Sequence, residues 1–310
     1  MDHQASPWME WLSSRLDLRT WFDMRRQQRQ GGRFVTFWHG PVDPITYTCL
    51  ASFPHHGARL TVYSYDARIR VPRGVRVADA RRIVPDEGLT SRYIVHGNPS
   101  FSKFSNYFRY RLLQETGSCW VDGDVVCLRK PDFSESPFVF GYQLQKKGPW
   151  ALNGAVLKLP RNHPMLLELA QRAADAIDLD TKWGVIGPML VSELAVKHDV
   201  IDHARPLAEF YPVAFDKFWR VLLPGYLQGI ERATSGSTFL HLWNEFYRTC
   251  GYDKSMAPPE GSFLHAQCVK LGTLGQFRGI YEKAEMRDVL GAYMNDQPVA
   301  RPAQTASLPG

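Results

Sequence analysis

The sequence RFVTFW at residues 33–38 is a short β-type run of apolar and β-branched residues. A helical stretch follows at residues 47–53, and LTVYSY at residues 60–65 forms a second β-type run. A strand, a helix and a strand at this spacing predict a βαβ unit whose parallel strands are buried on both faces. The run VRV at residues 75–77 predicts another strand, and this alternation favours an α/β fold with a mostly parallel central sheet flanked by helices.

The alternation of helix and strand continues beyond this unit. The same patterns predict a helix at 104–115 that ends at Gly117, a strand at 119–121, an extended stretch at 125–128, strands at 138–142 and 151–159, and a helix at 163–177. No internal repeat and no long linker divides this region, so we expect residues 33–295 to form a single domain.

The two ends of the chain have a different composition. Ser6 and Pro7 resemble a helix N-cap and first helical residue, and the aromatic residues that follow share one face. We therefore predict an amphipathic helix in residues 1–32 that packs on the body, with peripheral membrane contact as the alternative. Residues 296–310 are rich in Pro, Ala and Ser and predict a disordered tail.

Composition limits the class of protein. The chain has 310 residues, 44% hydrophobic and 22% charged, which excludes a mainly disordered, collagenous or coiled-coil protein. No apolar run approaches the roughly 20 residues that span a bilayer, and no signal-peptide pattern is visible at the N-terminus. The five cysteines form no Cys-x-x-Cys pair, which favours a reducing, cytoplasmic compartment and disfavours a structural zinc site.

The net charge of +6 favours an anionic partner such as a nucleotide-like substrate or membrane phosphate. Nucleic acid is not expected as a partner, because the charges are scattered apart from the basic stretch RRQQRQGGR at residues 25–33.

The strongest chemical signal is WVDGDVV at residues 120–126. Asp122 and Asp124 stand two residues apart, so on a continuing strand both side chains would point the same way, and Gly123 lets a ligand approach closely. Carboxylate oxygens are the ligands that Mg²⁺ and Mn²⁺ prefer, and the apolar flanks make two uncompensated carboxylates costly. A second pair, DLD at residues 178–180, has no such flanks and is interpreted as a solvated helix end.

The motifs together resemble a family. SNYFRYRLL at residues 105–113, then Gly117 and WVDGD at residues 120–124, is similar to the Ser-Asp-x-x-Arg-Tyr…Leu…Gly-Gly-x-Tyr-x-Asp-x-Asp pattern. That pattern marks DXD-containing glycosyltransferases of the α-1,4-galactosyltransferase and capsular-polysaccharide type, and the large glucosylating toxins share a version of it. Two positions depart from the pattern: Asn106 replaces an aspartate and Ser118 replaces a glycine.

The resemblance implies a GT-A fold and a metal-dependent, retaining transfer of a sugar. The donor would be a nucleotide diphosphate sugar, with a UDP-sugar favoured, and the acceptor a glycan, glycolipid or polysaccharide. The cofactor would be Mn²⁺ or Mg²⁺, held by Asp122 and Asp124 with His241 as a third ligand. Asp122, Asp124 and Arg109 would be the catalytic residues, because positive charge stabilises the leaving diphosphate.

The resemblance also assigns substrate contacts. The donor side would comprise Phe37, Trp38, Ser105, Asn106, Arg109, Asp122, Asn153 and Trp243, and the acceptor side Gly187 and Pro188. Each of these residues has an ordinary structural alternative. Phe37 and Trp38 could be core aromatics, Arg109 could form a salt bridge that braces the aspartates, and Asn153 could be a turn residue. His241 could be a structural histidine, and the Gly-Pro pair a simple helix start.

Two other functions fit parts of the sequence. In haloacid-dehalogenase-type phosphatases, an Asp-x-Asp motif supplies a nucleophile, here Asp122, and an acid/base, here Asp124. That class also needs a later Gly-Asp-x-x-x-Asp, which this sequence lacks. A non-catalytic glycan- or lipid-surface-binding module would use the opening helix and leave the acidic pair without a role. No carboxylate stands out as a glycosyl nucleophile, so double displacement and same-face transfer both stay open.

Overall fold

A computed structural model describes residues 33–144 and 151–294 of the chain. The helix predicted in residues 1–32 and the tail predicted at 296–310 lie outside the described residues. The strands are β1 Arg33–Phe37, β2 Arg59–Ser64, β3 Arg76–Asp79, β4 Ile94–Val95, β5 Asn98–Pro99, β6 Cys119–Val121, β7 Val125–Cys127, β8 Val139–Gln143, β9 Ala151–Lys158, β10 Asp180–Thr181, β11 Phe239–His241, β12 Met256–Ala257 and β13 Gly279–Ile280.

The α-helices are α1 Pro44–His55, α2 Phe101–Thr116, α3 Pro164–Ala174, α4 Leu190–Lys197, α5 Leu207–Phe210, α6 Leu227–Thr234, α7 Asn244–Thr249, α8 Phe263–Lys270 and α9 Lys283–Met294. Short 3-10 helices occur at Ala80–Arg82, Glu87–Ser91, Ile201–His203, Phe215–Leu222, Pro224–Tyr226 and Leu274–Gln276, and a π-helical turn at Val185–Met189. None of the helices in the described ranges is long and apolar enough to cross a membrane.

The central sheet has six strands in the order β3-β2-β1-β6-β9-β8. The pairs β2–β3, β1–β2 and β1–β6 are parallel, and β9 runs antiparallel to both β6 and β8. The prediction of an α/β fold with a mostly parallel sheet and flanking helices is therefore confirmed.

Alternation along β1 explains how the sheet is covered on both faces. Phe34 packs in the hydrophobic cluster that contains Leu50 and Phe53 of α1. Val35 and Phe37 lie in another cluster, together with Phe104 and other residues of α2. The two helices therefore cover opposite faces of the sheet, as successive side chains of a strand require.

This topology places a switch in strand order at one edge of the sheet, where a crevice is expected. From β1 the chain moves through α1 to β2 on one side, and it returns through α2 to β6 on the other side of β1. In open α/β sheets, ligands bind outside the carboxyl ends of the strands where the strand order reverses in this way. Trp38 follows β1 at this edge, and Asp122 follows β6.

Helix α2 supplies polar residues to this edge. Ser100 caps its N-terminus by accepting a hydrogen bond from the Lys103 N–H, and Gly117 ends it with a left-handed φ of 62°. Asn106 and Arg109 are buried on the face of this helix that packs against the body. Two buried polar side chains on one helix face need partners. Asn106 bonds to Ser102 and Arg109 of the same helix, and Arg109 reaches Asp122 at the end of β6.

The predicted strand at 119–121 and extended stretch at 125–128 are both present, but they do not form one continuing strand through Asp122 and Asp124. Strand β6 ends at Val121, and a turn closed by the Val125 N–H on the Asp122 carbonyl (3.2 Å) leads into β7. Strand β7 leaves the central sheet and pairs antiparallel with β11, which sets Val125 opposite His241. The chain turns because the two strands belong to different sheets, and this turn brings His241 to the acidic pair.

The second acidic pair is exposed, as predicted, but it is not a helix end. Helix α3 ends at Ala174, whereas Asp178 has a left-handed φ of 61° and forms an ion pair with Arg92. Asp180 begins β10 and accepts a hydrogen bond from the Gly97 N–H. Asp180 is therefore part of the small sheet of β10, β4 and β5, and Asp178 lies in the turn before it.

Candidate metal and donor site

Asp122, Asp124 and His241 form the one group of at least three acidic, histidine or cysteine side chains in the described ranges that could hold a metal ion. One ligand atom from each lies within 4.8 Å of the other two. Opposite ligands of an octahedral Mg²⁺ ion are at most about 4.2 Å apart, because each lies 2.0–2.1 Å from the ion. The three groups therefore lie close enough together to share one small divalent cation once the side chains close around it.

The carboxylate of Asp122 is held through one of its two oxygens. Its Oδ1 accepts hydrogen bonds from Arg109 Nη2 and from Trp120 Nε1, each at 2.6 Å. The side chain of Asp122 is 28% exposed. Both donors fix the plane of the carboxylate, and Oδ2 is the oxygen left to a ligand.

Asp124 is tied to the segment that follows β11. Its Oδ2 accepts a hydrogen bond from the Asn244 N–H (2.8 Å) and lies 3.2 Å from His241 Nε2. Its carbonyl oxygen accepts the Leu242 N–H at 3.0 Å. Burial alone would raise the pKa of the Asp124 carboxyl, but the charge and hydrogen bond of His241, together with the Asn244 N–H, lower it below its usual value.

His241 is buried beside this carboxylate. Burial disfavours the imidazolium form, but the carboxylate of Asp124 outweighs this effect and raises the pKa of His241 above its usual value. The ring lies 4.2 Å from the ring of Trp243, and its buried Nδ1 has no hydrogen-bond partner among the described residues. The imidazole Nε2 and the Asp124 carboxylate thus form a hydrogen-bonded pair. A cation bound by both groups would take the place of the proton between them.

Arg109 places a positive charge beside Asp122. Its guanidinium donates Nη1 to Asn106 Oδ1 (2.9 Å) and Nη2 to Asp122, and it lies 4.9 Å from the ring of Trp120. A Cβ on Gly154 would come within 2.5 Å of Nη1, so the glycine is required for this packing. Of the salt bridge to both aspartates that was the alternative role of Arg109, the part to Asp122 is present.

The charges of the cluster suit a divalent cation and a phosphate ligand. The two carboxylates and the guanidinium of Arg109 sum to −1 when His241 is neutral. A divalent ion would change this sum to +1, which attracts a diphosphate. The donor set of carboxylate oxygens and one imidazole nitrogen is one that Mn²⁺ accepts.

Trp38 lies beside the acidic turn. A Cβ on Gly123 would come within 2.9 Å of the Trp38 ring, and the indole Nε1 donates to the Pro41 carbonyl at 3.1 Å. Phe37, by contrast, points into the core, with its ring 4.5 Å from the ring of Phe108. Of the two predicted aromatics, Trp38 is therefore the one that borders the site.

Of the predicted contacts on α2 and β9, Asn106 bonds Arg109 directly. Asn106 donates its amide to the Ser102 carbonyl (3.0 Å), and Ser105 is the partly buried residue before it. Strand β9 begins at this edge, because its register pairs Val156 with Val121 at the end of β6. Asn153 lies in that first part of β9, bonded to Gln143 Oε1 and to the Ala155 N–H at 2.7 Å each.

The predicted acceptor loop packs against α2. A Cβ on Gly187 would lie 3.2 Å from the Asn106 amide, which places the loop beside the arginine network. The Pro188 carbonyl accepts a hydrogen bond from Ser192 Oγ at 2.7 Å. The same loop exposes three large apolar side chains, of which Met189 is 61% exposed, together with Trp183 and Val185. Exposed apolar side chains gathered on one loop indicate a contact surface.

Trp243, the last predicted donor residue, is held in an unusual backbone conformation. Its φ is 58°, in the left-handed region that a tryptophan rarely adopts, and its Nε1 donates to the Val213 carbonyl at 2.9 Å. This bend directs the next N–H, that of Asn244, to Asp124.

Two residues of the site were not predicted. Trp120 belongs to the motif but had no predicted role, although its position two residues before Asp122 allows a side-chain contact. Asn244 directly follows the HLW motif, and an amide residue next to a candidate metal ligand was the available signal.

No described protein family and no curated protein matches this chain. Among solved structures it is similar to PaToxG Glycosyltransferase, with a TM-score of 0.35 and 11% sequence identity, over 90% of this chain and 96% of that one. A TM-score this low does not establish a shared fold.

Proposed function

We propose that this protein is a metal-dependent glycosyltransferase of the GT-A type that uses a UDP-sugar donor and a glycan, glycolipid or polysaccharide acceptor. The observation that supports it most is the convergence of Asp122, Asp124 and His241 at the carboxyl edge of β1 and β6. In parallel α/β sheets, nucleotide ligands bind at such an edge. The class of reaction is inferred from the resemblance in the Asp-x-Asp region.

In this proposal Asp122, Asp124 and His241 bind Mn²⁺ or Mg²⁺. The cation would supply positive charge to the diphosphate as it leaves. Arg109 adds a second positive charge on the same side, and Trp120 keeps the Asp122 carboxylate in a fixed orientation. Because these groups are already held by hydrogen bonds, little reorganisation is needed when charge develops on the donor.

Donor and acceptor would lie on opposite parts of the crevice. Trp38 offers an aromatic surface to the nucleobase beside Gly123, and Asn106 and Asn153 offer amide groups to the sugar. The loop of Gly187 and Pro188 would face the acceptor, whose apolar parts would contact the exposed side chains of that loop. We expect the sugar to be transferred with retention of configuration, as the resemblance implies.

The five cysteines support a reducing, cytoplasmic compartment. All of them are free thiols, and four are buried: Cys49, Cys119, Cys127 and Cys268. Thiols buried in this way persist where disulfides do not form. Peripheral membrane contact through residues 1–32 stays a prediction for which vesicle binding by the full chain is the test.

The phosphatase alternative gains no support from the geometry. In that reaction Asp122 would be a nucleophile, but its Oδ1 carries two hydrogen bonds and the third member of the cluster is His241. Release of phosphate from simple phosphomonoesters, without dependence on a nucleotide sugar, would support it.

A thermal-shift screen tests the proposed function. We expect Mn²⁺ together with UDP to raise the melting temperature by more than the sum of the two separate effects, because ligands stabilise the state that binds them. Other nucleoside diphosphates serve as controls for the base. Equal shifts for every nucleotide, with no increase from the metal, would contradict a metal-bound UDP-sugar donor.

A further inference from the structure

Asn244 is the first residue of α7 and lies against the acidic pair. Its backbone N–H donates to Asp124 Oδ2 at 2.8 Å, so the residue is anchored to one of the three candidate ligands. The preceding Trp243 fixes this position through its left-handed backbone and its hydrogen bond to the Val213 carbonyl. Asn244 is therefore held at the candidate cation site by contacts that do not involve its own side chain.

The side-chain oxygen of Asn244 is unsatisfied. Oδ1 is buried and has no hydrogen-bond partner among the described residues. Buried amide oxygens are almost always paired, because an unpaired one gives up its bonds to water and gains nothing in exchange. The nearby His241 Nδ1 is unpartnered as well. Asn244 Oδ1 is therefore an open hydrogen-bond or metal-binding position on a residue that contacts Asp124, and a polar ligand would satisfy it.

An amide oxygen is a suitable ligand for a hard divalent cation. Mg²⁺, Ca²⁺ and Mn²⁺ accept carbonyl oxygens beside carboxylates, and a neutral ligand adds no further negative charge to the cluster. Asp122, Asp124 and His241 supply three protein ligands, which leaves positions for further oxygens in a six-coordinate ion. We propose that Asn244 binds the cation through Oδ1 as a fourth protein ligand. This role rests on the proposed function, since it requires the cation site.

Direct titration of the full chain with Mn²⁺ tests this ligand. Free Mn²⁺ is measured by electron paramagnetic resonance, with and without saturating UDP. We expect Asn244→Ala to weaken Mn²⁺ binding at least tenfold and Asn244→Asp, which keeps a side-chain oxygen, to restore it. Asn98→Ala is the matched control. The amide of Asn98, a residue of β5, donates to the His96 carbonyl, so the Mn²⁺ affinity of this variant should equal that of the wild type.

The melting temperature in EDTA separates a ligand from a structural residue. Because Oδ1 makes no hydrogen bond within the described structure, Asn244→Ala should leave the metal-free melting temperature nearly unchanged. A large loss of metal-free stability, together with weaker binding, would overturn the proposal by assigning Asn244 a structural role.

Asn244→Cys gives a spectroscopic readout of direct coordination. A thiolate that replaces the amide should produce a thiolate-to-cobalt charge-transfer band when Co²⁺ is added, and the wild type should not. Absence of the band, or wild-type Mn²⁺ affinity in Asn244→Ala, would overturn the role of Asn244 and leave the proposed function intact. Failure of the wild type to bind Mn²⁺ under either condition would overturn both.

Discussion

Arg109 Nη2 and Asp122 Oδ1 form an ion pair of 2.6 Å at the carboxyl edge of the central sheet, and the arginine side chain is only 6% exposed. The aspartate is more exposed, at 28%, so the guanidinium is desolvated while the carboxylate is still partly open to solvent. This asymmetry lets a single carboxylate neutralise a buried guanidinium through one oxygen and serve a cation through the other. The geometry of the candidate cation site therefore depends on a buried arginine.

Removal of the arginine should destabilise the protein. Arg109→Ala leaves Asp122 without its counter-charge and Asn106 without a donor, so we expect the free energy of unfolding to fall by about 3 kcal/mol. Arg109→Lys should recover only part of this loss, because an ammonium cannot donate in two fixed directions. Urea denaturation measures both effects, and a loss below about 0.5 kcal/mol, the level of an ordinary surface substitution, would contradict the role of this pair.

The indole N–H of Trp120 should affect metal binding. Trp120→Phe preserves most of the buried ring but removes the donor to Asp122 Oδ1, so we expect Mn²⁺ affinity to fall about tenfold, as for other residues that orient metal ligands. Trp219→Phe is the matched control, because the Trp219 N–H is buried without a partner among the described residues. Equal Mn²⁺ dissociation constants for the two variants would show that Trp120 does not orient Asp122.

The fold was largely predictable because its signals are local. Strand β1 and helix α2 are predicted by runs of apolar residues, and the end of α2 is predicted by Gly117. Each of these patterns lies within about 15 residues of sequence. The strand at 119–121 and the extended stretch at 125–128 were predicted, but the apolar pattern did not indicate that β7 leaves the central sheet. The contact between His241 and Asp124 depends on the pairing of β7 with β11, which lie far apart in the chain. Local patterns give no register for such pairs, which is why Asn244 was missed.

Gly123 should be intolerant of any side chain. A Cβ at this position would come within 2.9 Å of the Trp38 ring, so Gly123→Ala must displace either the indole or the acidic turn. We expect a loss of about 1–3 kcal/mol in the free energy of unfolding, as for other overpacked sites, and a raised KM for the donor. Gly225→Ala, where a Cβ would meet nothing within 4 Å, is the control. The same stability for both variants would rule out this close contact.

Metal-free stability should depend on pH through His241 and Asp124. The pKa of His241 is raised in the folded protein, so its contribution is complete below about 6.5, the ordinary value, and is lost as the pH rises through the folded pKa. The pKa of Asp124 is lowered, so its contribution is complete above about 3.9 and is lost as the pH falls through the folded pKa. Urea denaturation in EDTA should show a loss of stability at high pH and another at low pH, and His241→Gln should abolish the loss at high pH. A wild-type profile with no loss of stability at high pH would contradict the pairing of His241 with Asp124.

If the exposed loop of Gly187 and Pro188 faces the acceptor, its substitution should affect the acceptor KM and leave the donor unaffected. Trp183→Ala removes a large exposed ring from the loop that packs beside Asn106. We expect the acceptor KM to rise several-fold while hydrolysis of the donor in water keeps its rate. A change confined to donor hydrolysis would place the loop on the donor side.

Turnover of nucleotide sugars tests the central claim most directly. UDP release from a panel of UDP-sugars is measured with Mn²⁺ and with EDTA for the wild type, Asp124→Asn and Asp178→Asn. The last variant belongs to the second, exposed acidic pair and serves as the control. We predict that at least one donor is turned over only with Mn²⁺, that Asp124→Asn abolishes this activity, and that Asp178→Asn retains it. Metal-independent turnover, or full activity in Asp124→Asn, would contradict the account.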